Sequence, residues 1–331
     1  MSARHTLGRL CAVLCLSAGL LAAQAPLARA ENITVTHWGG QFYGVPYAVA
    51  MDKGFFKKEG VDVTGILTAA GGGTAVRNTL AGGLPVGEVS LAAAVQAINA
   101  GQKLVIVAAG VQTVSDQLWL VKKDSALGGI KDLAGKRVAY TAPGSVSNMV
   151  ILMALKANGL TAQQVQLIPA GDLGANLAAV ASGAVDAGFS DDMVLTQNAA
   201  IARPLFKVRD VMSPAMMQTV LITTAEFARS RPEVVRGIIA ARRDGLAYAS
   251  EHPDEAAEIT AKAYNNPNVG LFRSHMKQLM DGHYWSDGRF DYDAMNHMLE
   301  GLRITGQLKG EIDWSKLVDT AYLPSDLRAA R

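Results

Sequence analysis

The stretch Ile33-Thr-Val-Thr-His-Trp-Gly-Gly-Gln-Phe-Tyr-Gly-Val-Pro-Tyr47, continued by Ala48-Val-Ala-Met-Asp-Lys-Gly-Phe-Phe-Lys-Lys-Glu-Gly60, decides the fold. Residues 33–36 alternate apolar and polar with β-branched types, which predicts a strand. The next segment sets His37, Trp38, Gln41, Phe42 and Tyr43 among glycines, the composition of a flexible, aromatic binding lip. A helix is expected from about Pro46 to Met51. It stops at Lys53-Gly54, where glycine can take the left-handed conformation that closes a helix. With another strand from Val61, strand, helix and strand follow within thirty residues, which predicts a parallel pair.

Working outward, Val61–Ala69 leads into Ala70-Gly-Gly-Gly-Thr74 and a helical apolar pattern. Gly71, Gly72, Gly73 and Thr74 would present free backbone N–H groups and the positive end of a helix dipole, a setting for an anionic group. A tight turn would explain the glycines equally. The loop lacks the Lys-Ser/Thr ending of a nucleotide P-loop and the spaced glycines of a dinucleotide fingerprint. Glu88-Val-Ser-Leu91 reads as a short buried strand with Ser90 at its end, and Lys103–Ala109 as a strand covered on both faces. After a polar break at 111–116, Gln117–Val121 resumes a strand.

The same grammar then recurs. Strand Arg137–Thr141 opens into Ala142-Pro-Gly-Ser-Val-Ser147 and a helix that Gly159 stops. Ser145 and Ser147 suit a ligand or a helix cap alike. Strand Val165–Pro169 leads to Ala170-Gly-Asp-Leu-Gly174, and strand Ala187–Ser190 to Asp191-Asp192, one of which is expected to face a cleft and the other solvent. Each loop lies at the carboxyl end of a strand, where open α/β sheets bind ligands. Phe206–Val211 reads as one more strand, Thr219–Thr223 as a return crossing, and the rest as helices packing back onto the first half.

The chain has 331 residues, 50% hydrophobic and 18% charged, enough for a sizeable core and two domains. Arg4 and Arg9 precede an apolar run from Leu10 to Ala23, and Ala28-Arg-Ala30 supplies a processing site, so residues 1–30 read as a signal peptide cleaved after Ala30. The run is shorter than a membrane span. Both cysteines, Cys11 and Cys15, fall inside it, and Ala12-Val-Leu-Cys15 lacks the small residue that lipidation needs before its cysteine. The mature chain therefore has no disulfide or thiolate metal site. Removing the segment takes three arginines from 31 basic residues and none of 29 acids, so the net charge moves from +2 to −1. No basic run remains to suggest nucleic acid.

The early loop with Asp52-Lys-Gly-Phe-Phe-Lys-Lys-Glu-Gly-Val-Asp-Val63 resembles the start of nitrate/sulfonate/taurine-type substrate-binding proteins of ABC importers. Ala100-Gly101, Asp132-Leu-Ala-Gly-Lys-Arg-Val-Ala139, Gly159-Leu160 and Ala181-Ser-Gly-Ala-Val-Asp-Ala187 continue the resemblance in family order. It implies a two-domain α/β fold of the type II periplasmic binding protein class, each domain a mainly parallel sheet flanked by helices, with two hinge crossings. The expected division is 31–116 and 221–331 for the first domain and 117–220 for the second. It further implies a monomeric periplasmic receptor that closes on a small solute and docks on a membrane permease, and it assigns the Gly71–Thr74 loop to ligand.

Local chemistry supports no enzyme: His-Glu-x-x-His, Gly-x-Ser-x-Gly and any mature cysteine are missing. No cofactor or metal is expected. The same superfold includes a thiamine-pyrimidine synthase, but that enzyme depends on a cysteine-rich iron motif. For the solute, a small organic anion such as a sulfonate or carboxylate ranks first, because glycine-loop amides and hydroxyls suit it. Trp38, Phe42 and Tyr43 suit a flat body, and Asp191 or Asp192 could instead pair with an N–H-bearing heterocycle of the thiamine-pyrimidine kind.

Overall fold

The computed structural model describes residues 31–69 and 71–328; the expected signal segment, its cleavage site, both cysteines and Ala70 lie outside them. In chain order the strands are β1 (Glu31–Thr36), β2 (Val63–Ala69), β3 (Val86–Ser90), β4 (Leu104–Ala109), β5 (Gln117–Lys122), β6 (Arg137–Tyr140), β7 (Gln166–Pro169), β8 (Gly188–Asp191), β9 (Ala202–Lys207) and β10 (Thr219–Thr224). The opening stretch forms the parallel pair that its pattern predicts. β1 runs beside β2 from Glu31 opposite Val63 to Thr36 opposite Ala69, and the helix Val45–Asp52 crosses between them. Pro46 sits in the first turn of that helix, where its missing N–H costs nothing. Gly54 follows it at φ +73°, a conformation that side chains resist.

Two α/β domains result, and their sheets share one plan. The first sheet has the order β2-β1-β3-β10-β4. In the second, β6 and β7 form a parallel pair joined to the β8-β5-β9 sheet through a parallel bridge between Val138 and Ala187, giving β7-β6-β8-β5-β9. In each sheet a single strand opposes its neighbours: β10 is antiparallel to β3 and β4, and β5 is antiparallel to β8 and β9. These are the two strands that follow the crossings. A chain that leaves one sheet at the carboxyl ends of its strands enters the other sheet from the same side, so its first strand must run the opposite way. Both crossings, 110–116 and 212–218, therefore lie on the side where the carboxyl-end loops of both sheets meet.

The structure departs from sequence expectation in three places. The strand expected at Phe206–Val211 begins earlier, and Val208–Val211 is a short helix. Pro204 fits within the strand because β9 is an edge strand whose register shifts beside that residue, where a missing N–H is tolerated. Among the helices expected after the return crossing, the run from about 293 to 305 divides into Tyr292–Met298 and Glu300–Ile304. The last of these does not return to the first domain: Gly301 lies against Met149 so closely that a Cβ would come within 2.7 Å of its Cα, and Glu300 pairs with Lys156 at 2.6 Å. The long helix Pro232–Glu251 does pack on Val45–Asp52, with Gly245 admitting the Pro46 carbonyl.

Candidate functional site

The loop after β1 folds tightly on itself. His37 adopts φ +53° and its carbonyl accepts from the amides of Gly40 and Gln41 at 3.0 and 2.9 Å. Burial lowers the His37 pKa to about 4, against a raising influence from Asp172, so the imidazole is neutral. Trp38 is half-buried, edge-on to Tyr264 with centroids 4.6 Å apart, and lies over Gly44, where no Cβ would fit. His37, Trp38 and Gly40 form one wall of a cleft of about 540 Å³; Asp172–Gly174, Met193, Val194 and Gln197 of the second domain form the other, with Tyr264 and Asn266 at the end.

The remaining expected site residues separate into three groups. Phe42 leaves the lip for the core, stacking on His275 and tilting onto Phe272, while its carbonyl accepts from the Trp285 indole at 3.0 Å. Gly72 is also a packing residue, since a Cβ there would come within 2.7 Å of Ala93 and 2.8 Å of Ser90. Gly73 and Thr74 are exposed, and the Thr74 hydroxyl is taken by Arg77. Gly71 approaches Ala142 of the other domain, so the two helix starts, 72–81 and 146–157, do converge. Ser145 caps its helix by accepting from Asn148 N–H, which is the capping reading, whereas Ser147 accepts from the Thr141 N–H just after β6 and caps no helix.

The third group is buried and incompletely bonded. Among the described residues, Ser90 Oγ, Gln41 Nε2, Thr36 Oγ1 and Asp116 Oδ1 have no hydrogen-bond partner in the chain. Buried polar atoms are rarely left so, because each forfeits hydration without return. Tyr43 donates to Gln218, which also accepts from Gln117 at 2.7 Å and itself donates to the Thr113 carbonyl. The lip tyrosine is thus wired to both crossings. Tyr284, stacked on Tyr43, donates to Asp116 Oδ2 at 3.1 Å.

Neither of the adjacent aspartates faces solvent as expected, since both are buried, and they differ in their partners. Asp192 is pushed up by burial, but Lys207 at 2.7 Å and Arg209 at 3.0 Å hold its pKa below the ordinary value. Gln278 of the first domain's helix Val269–Asp281 donates to it at 3.1 Å, a polar clasp between the domains. Asp191 caps the following short helix through Val194 N–H at 2.8 Å and makes no salt bridge among the described residues, although the charge of His275 acts to lower its pKa. Burial raises its pKa to about 6, and Tyr43, Tyr264 and Tyr284 all feel its charge. Asp116, Gln117, Gln218, Tyr264 and Tyr284 were not singled out from sequence. The polar break at 111–116 was the one visible signal, and it marks the crossing.

A protein-family model described as NMT1/THI5 like matches residues 41–256, more than half of the chain. The chain belongs to this family. Its fold is similar to that of the alkanesulfonate-binding protein SsuA from Xanthomonas axonopodis bound to MOPS (16% identity, TM-score 0.72, 89% of this chain and 100% of that one). It is similar to the periplasmic nitrate-binding protein NrtA from Synechocystis (16%, 0.68, 90% and 86%). A cysteine-to-serine mutant of DSZB in complex with biphenyl-2-sulfinic acid shares the fold as well (16%, 0.60, 89% and 98%). No curated protein sequence matches this NMT1/THI5-like chain.

Proposed function

We propose that this NMT1/THI5-like chain is the solute-binding receptor of an ABC-type importer, a monomer in the periplasm that hands a small organic solute to a membrane permease. The observation that carries the reading is the cleft itself. It is walled by both domains, with His37, Trp38 and Gly40 on one side and Asp172–Gly174, Met193 and Val194 on the other. A solute touching both walls would favour the closed form by its differential affinity. The domain limits follow the sheets, with the second crossing ending at Gln218, so that β10 belongs entire to the first domain. Among the described residues no helix is long and apolar enough to cross a membrane.

An organic anion fits the convergence of the two helix starts, whose first-turn N–H groups lack helical partners. SsuA and NrtA, named for sulfonate and nitrate, support that class by analogy of fold. We read the protein as a binder and not a catalyst. Its one cleft histidine is held neutral without a nucleophile beside it, and a cysteine, the residue replaced in the DSZB structure, does not occur in residues 31–328.

The test is small-angle scattering and thermal denaturation of residues 31–331 with a panel of organic sulfonates, carboxylates and nitrogen heterocycles. A receptor should compact and melt several degrees higher with one class. A radius of gyration unchanged by every member that raises the melting temperature would refute closure.

A further inference from the structure

Asp116, in the first crossing, and Asp191, two residues before the cleft-lining Met193 and Val194, are buried side by side. Asp116 is 8% exposed and Asp191 3%, and the residue after Asp116, Gln117, is paired in register with Asp191 across the β5–β8 ladder. Asp192 N–H donates to the Asp116 carbonyl at 3.2 Å, which fixes the two acidic segments side by side. One Asp116 oxygen has the Tyr284 hydroxyl, and the other has nothing in the chain. Were both ionised their like charges would repel, with little water to offset it. An arrangement of this kind is stabilised by whatever supplies N–H donors or positive charge between the carboxylates.

The neighbourhood answers them only in part. Lys207 and Arg209 are spent on Asp192. His275, on the helix Val269–Asp281, gives its Nδ1 to the Leu271 carbonyl and acts on Asp191 through its charge, while His37 is neutral. The other titratable neighbours are the hydroxyls of Tyr43, Tyr264 and Tyr284, each more basic than usual because of burial. Glu88 adds a further negative charge that Tyr43 senses.

We infer that Asp116 and Asp191 are the recognition element for a nitrogen of the solute, a protonated amine or amidine whose N–H groups they accept. The inference rests on the receptor reading and narrows it: a bare alkyl or aryl anion would leave the pair unanswered, whereas an anion that also carries such a nitrogen would satisfy the pair and the helix starts together. Burial and mutual repulsion raise Asp116 to about 8, so near neutral pH the free protein holds a proton there. A cationic group displaces it. Affinity should therefore strengthen as pH rises from 6.5 to 8, by up to roughly tenfold per pH unit, and level off above.

The experiment is calorimetric titration of residues 31–331 with matched probes, 3-aminopropanesulfonate against propanesulfonate and 4-amidinobenzoate against benzoate, with scattering to follow closure. At least one nitrogen-bearing probe should bind tenfold or more tightly than its partner. Asp116→Asn and Asp191→Asn should each remove most of that preference while leaving affinity for the nitrogen-free partner within a few-fold. Asparagine keeps both the Asp191 cap and an acceptor for Tyr284, so folding is retained. A purely structural role would instead weaken both members alike, which overturns the inference. Closure on the nitrogen-free members alone overturns it too and leaves the receptor reading intact. Neither binding nor closure with any of the four would remove both.

Discussion

The molecule holds two buried acidic clusters that differ in a telling way. Behind β3, Glu88 is fully buried and fully answered: Arg242 Nε lies 3.0 Å away, Tyr47 donates at 2.8 Å and Thr219 at 2.6 Å, and Arg242 reaches on to the Ser286 carbonyl at 2.7 Å. At the crossings, Asp116 and Asp191 are nearly as dry but make no salt bridge among the described residues, His275 acting on Asp191 only through its charge. The first cluster answers its carboxylate within one domain, leaving Arg242 Nη2 without a partner among the described residues. The second is open, sits between domains, and draws on what binds there. A buried ion pair offers weak net stability, yet breaking one leaves an uncompensated charge.

That contrast sets the largest expected effect. Arg242→Met should destabilise the first domain by about 3–5 kcal/mol, because Glu88 loses its counter-charge where water cannot replace it. Urea unfolding of the ligand-free protein measures this. A loss below about 1 kcal/mol would mean that Glu88 simply takes up a proton, and the two clusters would then be alike.

The open cluster should show the opposite behaviour with pH. A carboxyl whose folded pKa is raised contributes stability that is full below its unfolded value, 3.8, and is lost as pH rises through the folded value, about 8 for Asp116 and about 6 for Asp191. His37, lowered to about 4, acts in reverse: its contribution is full above 6.5 and lost as pH falls. Above about pH 7, once Asp191 and His37 have passed their values, the raised value of Asp116 dominates the slope. Stability there should fall with rising pH by up to about 1.4 kcal/mol per unit, and Asp116→Asn should flatten the slope. Equal slopes in parent and variant would show that Asp116 is solvated.

Sequence reading reached the fold because its signals are local. The β1 pattern, Gly54 and the repeated strand-loop-helix grammar each lie within thirty residues and dictate parallel pairs. The site was legible only in part. His37 and Trp38 do line the cleft, but Phe42 and Gly72 carry the same composition cues and serve packing, which depends on Phe272 and Ala93 far along the chain. Asp191 and Asp192 are indistinguishable as neighbours in sequence; Lys207, Arg209 and Gln278 separate them. Asp116, Gln218 and Tyr284 lie far apart in sequence and meet only once the chain has crossed twice.

Asp192 offers a sharper division within the second cluster. Its clasp to Gln278 closes only when the domains meet, so Asp192→Asn should cost about 1 kcal/mol of the closed form and weaken affinity several-fold without altering ligand preference. A changed preference between the matched probes would place Asp192 inside the recognition element.

The smallest effect concerns the cover over the open cluster. Trp38 meets Tyr264 edge-on, and Tyr264 in turn feels the Asp191 charge, so the aromatic pair spans the distance from the cleft wall to the carboxylates. Such a pair contributes about 1 kcal/mol beyond its buried area, and a flat ligand ring against the indole would add a similar amount. Phenylalanine at 38 can keep an edge-to-face contact with Tyr264, whereas alanine exposes Gly44 and frees the Tyr264 ring. Trp38→Phe should therefore bind nearly as the parent does, and Trp38→Ala several-fold more weakly. Because alanine also removes packing, its melting temperature must be compared with ligand and without: a loss confined to the ligand-free protein assigns Trp38 to the fold, while a loss in the ligand-induced increment assigns it to the site. Trp119 cannot confuse a fluorescence readout, since it is sealed in the second domain with its indole N–H on the Ala139 carbonyl at 2.9 Å and its ring stacked on Phe206. If both variants bind as the parent does, the roof over the acid pair is structural, and the ligand is held by the carboxylates and helix starts without an aromatic wall.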